Sequence, residues 1–243
     1  MRAWFSGSLA AVLIAAPLVA AGATSFAILL SSAERPEADK VRDADRKPAQ
    51  LMAFGGIKAG AVVAELAPGG GYYTRLISLA VGPKGHVYTV SNKPSAAVVE
   101  WAKTHPNTTE LSGQGMATLA PVPVDVVWTA LNYHDFKNVK DGDSDFAAKL
   151  TKAAFAALKP GGIYLINDHE SGPGTGASVT SKLHRIEKAL VIQEVEAAGF
   201  KLDAQSDMLR HPDDDHSKHE NAVARGKTDQ MVLRFKKPKA RRP

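Results

Sequence analysis

The chain has 243 residues, of which 44% are hydrophobic and 23% charged, so it can bury a full core and is predicted to form one α/β domain. The formal net charge is +5, but residues 236–243 alone hold five positive charges and no acid. A short basic tail is typical of a solvated terminus, so we predict no nucleic-acid partner. The absence of cysteine excludes disulfides, thiolate metal sites and a lipoprotein anchor.

The first thirty residues have the pattern of an export signal. Arg2 precedes the apolar run Leu9 to Leu30, and Ala21-Gly22-Ala23 fits the small-x-small pattern of a signal peptidase site. We therefore predict a signal peptide over 1–23, a helix opening the mature protein over 24–33, and a periplasmic location. The competing interpretation is an uncleaved membrane anchor to about residue 30, because the run is long enough to span a bilayer. In both cases the flanking charges place the body outside the cytoplasm.

A charged segment, residues 34–47, precedes the body of the domain. Its acids and bases recur at three- and four-residue spacings, which is typical of a solvated helix covering one edge of a sheet. The functional alternative is that this segment caps a ligand pocket through Arg42, Asp45, Arg46 and Lys47. A second helix is predicted over Pro48 to Phe54.

The chain is organised around a strand, a glycine loop and a helix. Ala61 to Leu66 is an apolar run that predicts a buried parallel strand. Ala67 to Gly71 contains three consecutive glycines, and a helical face follows from Tyr72. Such a loop presents free N–H groups at a helix N-terminus, where a ligand can bind. The dinucleotide pattern requires a third glycine where Thr74 stands, so NAD binding is disfavoured.

The later pattern predicts further strands and helices in alternation. Strands are predicted at Gly85 to Val90, Met116 to Leu119 (weak), Val124 to Leu131, Ile163 to Ile166, Phe200 to Met208 and Gln230 to Phe235. Helices are predicted at Pro94 to Thr104, Asp145 to Leu158 and Leu183 to Ala198. Between them, Ser171 to Gly176 has the composition of a flexible lid, and His211 to Thr228 is an insertion rich in Asp and His.

This ordered series resembles the class I S-adenosylmethionine-dependent methyltransferases over roughly residues 51–238. The matching segments are Glu65 with Pro68 to Gly71, Gly82 to Val87, Asp125 to Val127, and Leu158 to Gly162. More narrowly, three segments are similar to an uncharacterised bacterial branch of predicted methyltransferases with N-terminal export signals: Arg46 to Pro48, Asn132 to Asp135, and Arg225 to Asp229.

The resemblance implies a fold, a cofactor and an activity. The fold would be a Rossmann-like α/β sandwich whose seven-stranded, mainly parallel sheet ends in an antiparallel hairpin. The cofactor would be S-adenosylmethionine, and the reaction would be methyl transfer to a small-molecule acceptor. Implied cofactor-binding residues are Glu65, Ala67, Pro68, Gly69, Gly70, Gly71, Tyr72, Ser91 and Asn132. The family's acid at the end of strand two is absent, because the chain reads Val90-Ser91-Asn92 there.

Polar clusters follow two of the predicted strands and supply the candidate catalytic residues. Ligands bind outside the carboxyl ends of parallel strands, so these clusters should face the glycine loop. Histidine titrates near neutral pH and can accept a proton from a nucleophile, while a carboxylate can fix its tautomer. The candidates are Tyr133, His134, Asp135, Asp168 and His169, with His134 or His169 as the base and Tyr133 or Asn132 positioning the acceptor.

Metal binding is a second hypothesis, because the chain supplies many nitrogen and oxygen donors. The donors considered are His134, Asp135, Asp168, His169, His184, His211, Asp213, Asp214, Asp215, His216 and His219. The segment HPDDDHSKH has no established ligand spacing, so no metal ligand is assigned from sequence. The alternative function is accordingly a noncatalytic extracytoplasmic binding protein for a nucleoside-like ligand or a metal.

Overall fold

The computed structural model describes residue 26 and residues 28–113, 116–142 and 144–239. The predicted signal peptide, residues 1–23, lies outside this part of the chain. Within the helix predicted over 24–33, Phe26 and residues 28–30 are helical, whereas residues 31–33 are not. Among the described residues, no helix has the length and apolar character needed to cross a membrane.

Seven strands form one mixed sheet in the order β3-β2-β1-β4-β7-β9-β8. All neighbouring pairs are parallel except those made by β9, which is antiparallel to both β7 and β8. Two short strands, β5 and β6, form a separate ribbon. The strands are β1 Val62–Leu66, β2 His86–Ser91, β3 Thr108–Ser112, β4 Val124–Ala130, β5 Lys140–Asp141, β6 Ser144–Asp145, β7 Leu158–His169, β8 Lys201–Gln205 and β9 Gln230–Lys236.

Helices cover both faces of the sheet and its carboxyl edge. After residue 30, the α-helices of the described chain are α1 Glu37–Lys40, α2 Asp43–Arg46, α3 Pro48–Phe54, α4 Tyr72–Val81, α5 Ala96–Thr104, α6 Tyr133–Phe136, α7 Phe146–Ala157, α8 Thr180–Leu183 and α9 Lys188–Ala197. Short 3-10 turns span Gly82–Lys84 and Glu220–Ala222. The side chain of Asp145 accepts a hydrogen bond from Ala148 N and so caps α7.

The core lies on both faces of the central strand β1. Successive side chains of a strand point to opposite faces, so Val63 and Ala64 enter different apolar clusters. Ala64 packs in the cluster beneath α7 and α9, and Val63 in the cluster beneath α3 and α4. This two-sided burial explains why the sequence of β1 is an almost continuous apolar run.

The predicted third strand is wrong. The strand beside β2 is instead β3, Thr108–Ser112. It lies at the sheet edge, and only Thr108 among its residues is buried, so most of its side chains can be polar. Met116 and Leu119 are buried in the core, but as loop residues. Their hydrophobicity thus indicates burial rather than a strand.

The predicted helix over 183–198 is also interrupted. Residues 184–187 separate α8 from α9, and His184 has a left-handed backbone with φ of 50°. Ile186 forms a parallel bridge with Glu170, and the buried Arg185 pairs with Asp214 at 2.8 Å. These long-range contacts replace helical hydrogen bonds at the break.

The charged segment and the tail differ from the prediction as well. Residues 34–47 form two four-residue helices, α1 and α2, instead of one helix. At the other end, Lys236 belongs to β9, and Lys237 Nζ donates to the carbonyls of Phe155 and Leu158. The described start of the basic tail is therefore attached to the domain.

Candidate active site

The glycine loop lies between β1 and α4 at the carboxyl edge of the sheet. Ala67, Gly69 and Gly71 have φ of 51°, 55° and 77°, a region that favours glycine. Gly71 caps α4, so the first N–H groups of that helix face the loop. A Cβ atom at Gly69 or Gly70 would meet nothing within 4 Å. The outer side of the loop is therefore open.

A first cleft of about 350 Å³ lies on this loop. Its lining includes most of the predicted cofactor-binding residues, namely Glu65, Ala67, Pro68, Gly69, Gly70, Tyr72 and Asn132. Gly71 and Ser91 do not line it. Gly71 instead caps α4, and Ser91 Oγ donates to Lys93 O and Glu110 Oε1. The structure thus brings seven of the nine predicted residues to one cleft.

Glu65 is a buried carboxyl group at the end of β1. Burial raises its pKa to about 7, although a hydrogen bond from Thr74 and the charge of Arg75 act in the opposite direction. Thr74 Oγ1 donates to Glu65 Oε2 at 2.6 Å. Near neutral pH this group therefore exists in both protonation states and can donate or accept a hydrogen bond at the cleft.

The residues around the loop are held by hydrogen bonds across the sheet edge. Asn132 Nδ2 donates to the carbonyls of Ala67 and Ala130 at 3.2 and 2.6 Å. Arg75 Nη2 donates to Gly70 O at 2.8 Å, while Arg75 Nε forms a buried ion pair with Asp39 at 2.6 Å. Arg75 therefore connects the glycine loop to the N-terminal helix α1.

The N-terminal helices form part of the cleft wall. Arg42 and Arg46 lie over the ring of Tyr72, with guanidinium carbons 5.4 and 4.6 Å from its centroid. Both arginines line the first cleft, which is the position that the capping alternative requires of them. Lys47 does not take part, because its Nζ donates to Met208 O.

A second cleft of about 370 Å³ adjoins the first and shares Arg42, Arg46, Tyr73 and Leu131 with it. Asp45, His169, Arg225 and Glu220 also line this second cleft. Arg42, Arg46 and Arg225 all line this cleft, and burial together with the charges of Arg46 and Arg225 lowers the pKa of Arg42. Within the described ranges none of the three makes an ion pair. Their positive charge is thus available to an anionic ligand.

Of the two histidines proposed as a base, only His169 lines the second cleft. Burial lowers the pKa of His169 to about 4, so its ring is neutral at pH 7. Its Nδ1 atom is buried and has no hydrogen-bond partner among the described residues. A neutral imidazole in this position can accept a proton or a hydrogen bond.

His134 lies beside the cleft and is fixed by Asp168. Asp168 is fully buried, and its carboxylate accepts hydrogen bonds from His134 Nδ1 at 2.7 Å, His134 N at 2.8 Å and His169 N at 2.8 Å. Burial acts to lower the pKa of His134, but the charges of Asp168 and Asp135 outweigh it and raise the pKa. Asp168 therefore joins the ends of β4 and β7 and orients His134.

The two remaining candidates occupy different environments. Tyr133 is fully buried in the core, and its hydroxyl donates to Glu194 Oε2 at 2.9 Å. The Asp135 side chain is 44% exposed and lies 3.2 Å from His184 Nδ1 and 3.4 Å from His134 Nε2. Tyr133 is thus turned into the core, whereas Asp135 belongs to a histidine cluster.

Glu110, which the sequence did not indicate as a site residue, lies on the neighbouring strand β3. Its Oε1 accepts hydrogen bonds from Ser91 Oγ and Ser95 N, both at 3.0 Å, at the end of β2. Its Oε2 is buried and has no partner among the described residues. Its charge also acts on Glu65 in the first cleft. A carboxylate is therefore present at the end of β2 although the sequence of β2 contains none.

Several Asp and His residues of the insertion have structural partners. Asp214 pairs with the buried Arg185, and Asp229, just after the insertion, pairs with Arg210 and His216 at 2.8 and 3.1 Å. Glu220 lines the second cleft, and its donor atom lies within 4.8 Å of those of His184 and His219.

The sheet order and the position of the first cleft define a Rossmann-like class I methyltransferase fold, as the sequence predicted. No family model matches the sequence, and no curated protein matches it.

Solved structures agree with this fold at low sequence identity. A SAM-dependent methyltransferase from Aquifex aeolicus has a TM-score of 0.58 and 16% identity over 88% of this chain and 98% of its own. The [4+2]-cyclase SpnF has a TM-score of 0.59 and 13% identity over 81% of this chain and 82% of its own. A possible exported protein from Bordetella parapertussis has a TM-score of 0.53 and 16% identity over 89% and 79%.

Proposed function

We propose that this protein transfers the methyl group of S-adenosylmethionine to a small anionic acceptor. The observation that carries the proposal is the pair of adjoining clefts at the carboxyl edge of the sheet, one on the glycine loop and one beside His169. Two sites that share a wall suit a reaction in which a donor and an acceptor must be aligned.

The residues of the first cleft fit the chemistry of the cofactor. The open side of Gly69 and Gly70 allows close approach to the backbone, and α4 presents free N–H groups there. Arg42 and Arg46 would bind its carboxylate. Glu110 does not line the cleft, but its buried and unpartnered Oε2 lies at the end of β2, where it would accept hydrogen bonds from the ribose hydroxyls once the ligand is bound. When bound, the cofactor supplies an electrophilic methyl group.

The second cleft would bind the acceptor. Arg225, with Arg42 and Arg46, favours a carboxylate, phosphate or similar anion. His169 is neutral at pH 7 and would accept the hydrogen bond or proton of the acceptor's nucleophilic group as the methyl is transferred. Asp168 holds the backbone N–H of His169 and thereby positions it.

The test is label transfer from S-adenosylmethionine carrying a radioactive methyl group to fractionated anionic metabolites. Label should appear in one low-molecular-weight fraction, and His169→Ala should slow transfer by about 100-fold if the imidazole assists proton transfer. His105→Ala, remote from both clefts and paired with the surface Glu34, is the matched control. A protein that binds the cofactor but labels no fraction would contradict methyl transfer.

We further propose that the protein is exported to the periplasm and belongs to the uncharacterised methyltransferase branch that its motifs resemble. The proposal is supported by Arg2, the apolar run and the small-residue motif at 21–23. Fusion of residues 1–30 to a reporter that is active only after export tests it. An inactive, cytoplasmic fusion would contradict it.

A further inference from the structure

Three donor groups from two separate segments meet beside the clefts. They are His134 and Asp135, which follow β4, and His184, which ends α8. The distances are 3.3 Å from His134 Nε2 to His184 Nδ1, 3.4 Å from His134 Nε2 to Asp135 Oδ1, and 3.2 Å from His184 Nδ1 to Asp135 Oδ1. Three electronegative atoms thus form a nearly equilateral triangle.

The dimensions of this triangle match those of a tetrahedral metal site. Ligand atoms about 2.0–2.1 Å from a tetrahedral zinc ion lie about 3.3–3.4 Å from one another, which is the edge of the tetrahedron. Two imidazole nitrogens and one carboxylate oxygen are ligands that zinc accepts. We propose that His134, Asp135 and His184 bind one zinc ion or a similar divalent ion.

The environment of His134 provides a second, independent observation. His134 Nδ1 lies 2.7 Å from a fully buried carboxylate oxygen of Asp168 and donates its proton to it. In the neutral ring this hydrogen bond leaves the lone pair on Nε2, the atom that points to His184 and Asp135. Metal-bound histidines are commonly oriented by such a carboxylate behind the ring.

The site has a route for the ion and room for a further ligand. The side chains of Asp135 and His184 are 44% and 37% exposed, so an ion can reach them from solvent. His219 and Glu220 also lie near His184, and the donor atoms of the three residues are within 4.8 Å of one another. Glu220 also lines the second cleft. The open position of a three-ligand ion would therefore accept an oxygen donor such as a carboxylate or phosphate near that cleft.

Zinc binding is measured on the full protein without cofactor or acceptor, so the result does not depend on methyl transfer. The protein is stripped with a chelator, titrated with zinc and analysed for bound metal after desalting. We expect about one zinc per chain. Cobalt substitution should give the intense visible absorption of a tetrahedral site, which reports geometry independently of stoichiometry.

Two variants remove one ligand each while leaving the buried His134 in place. His184→Asn retains a residue that tolerates the left-handed backbone, and Asp135→Asn retains the shape of the side chain. Each should weaken zinc binding by at least about 10-fold. His86→Asn, at the opposite, amino-terminal end of β2, is the control and should bind normally.

Two results would overturn the proposal. One is folded protein that retains no stoichiometric zinc. The other is an unchanged zinc affinity in both ligand variants. A protonated His134, donating to Asp168 and Asp135 at once, would produce the first result, because it satisfies both carboxylates without an ion.

Discussion

At the residue scale, Glu110 shows how a neighbouring strand can supply a group that the expected strand lacks. Its Oε1 is held by Ser91 Oγ and Ser95 N, while its buried Oε2 has no partner in the described part of the chain. An unpaired buried carboxylate oxygen is costly, and a ligand hydroxyl would reduce that cost. Glu110 is therefore the residue that we expect to compensate for the missing acid of β2.

Glu110→Gln should weaken the binding of S-adenosylmethionine by about 10-fold, because a charged hydrogen-bond acceptor contributes about 1.5–3 kcal/mol. The dissociation constant is measured by calorimetric titration. Glu100→Gln, which alters an exposed pair on α5, is the control. Equal affinity of the Glu110 variant and the unaltered protein would exclude a contact with the ribose.

Glu65 should make stability depend on pH. Because burial raises its pKa from 4.5 to about 7, the folded protein holds a proton that the unfolded chain releases. The resulting stabilisation is complete below about pH 4.5 and is lost as the pH rises through 7. The shift corresponds to about 3 kcal/mol.

Glu65→Gln removes this dependence. The free energy of unfolding is measured in urea at pH 5 and at pH 8. The difference between the variant and the unaltered protein should shift by about 2–3 kcal/mol in favour of the variant from pH 5 to pH 8. Glu100→Gln should show no such change. If the difference in unfolding free energy between Glu65→Gln and the unaltered protein is the same at both pH values, Glu65 titrates normally.

Some site residues can be placed from the sequence and others cannot, for one physical reason. Glu65 lies at the end of β1, and Gly69 and Asn132 come shortly after β1 and β4, so their position at the sheet edge can be predicted from local pattern. Glu110 and His184 reach the site only through tertiary packing. Glu110 does so from the polar edge strand and His184 from a break between two helices. Local periodicity contains no information about such contacts.

At the scale of elements, one ion pair attaches the N-terminal helices to the domain and a second pair joins residues within the N-terminal segment. Arg75 on α4 holds Asp39 on α1 at 2.6 Å, and Arg35 holds Asp43 on α2 at 2.7 Å. Tyr72 also donates to Asp43 Oδ1 at 2.6 Å. Since Arg75 donates to Gly70 O as well, the same side chain fixes the cap and the glycine loop.

Asp39→Ala should destabilise the protein by about 3 kcal/mol, because it leaves the buried guanidinium of Arg75 unpaired. Urea unfolding measures the change. Glu37→Ala breaks an exposed pair with Lys40 on the same helix and should cost under about 1 kcal/mol. Equal effects of the two substitutions would show that the Asp39 pair does not hold the cap.

Most elements could be predicted because their burial is regular. The central strands β1 and β4 are buried on both faces and read as apolar runs, whereas α3 begins at Pro48 as predicted. The prediction was wrong at β3, because the sequence of this strand is polar. It was also wrong at residues 184–187, where Ile186 forms a bridge with Glu170, sixteen residues earlier in the chain. In both cases long-range pairing determines the backbone.

At the scale of the whole molecule, the fold places two clefts and a histidine cluster at one edge of the sheet. The sheet order follows the expected crossover pattern, so the ends of β1, β4 and β7 meet there. Residues separated by more than a hundred positions, such as Glu65 and His169, therefore serve adjoining sites. The shared arginine wall favours negatively charged groups in both clefts.

The most direct measurement is the affinity of the purified protein for S-adenosylmethionine and S-adenosylhomocysteine, by calorimetric titration. We predict binding in the micromolar range that is lost in Gly70→Asp. Gly70 has an ordinary backbone and open space at its Cβ position, so an added carboxylate would enter the first cleft without straining the loop.

Gly172→Asp is the matched control, because Gly172 also has open space at its Cβ position but does not line the first cleft. We expect this variant to bind as the unaltered protein does. If the folded protein binds neither compound, or if Gly70→Asp binds both normally, the first cleft is not a cofactor site and the proposed function is wrong.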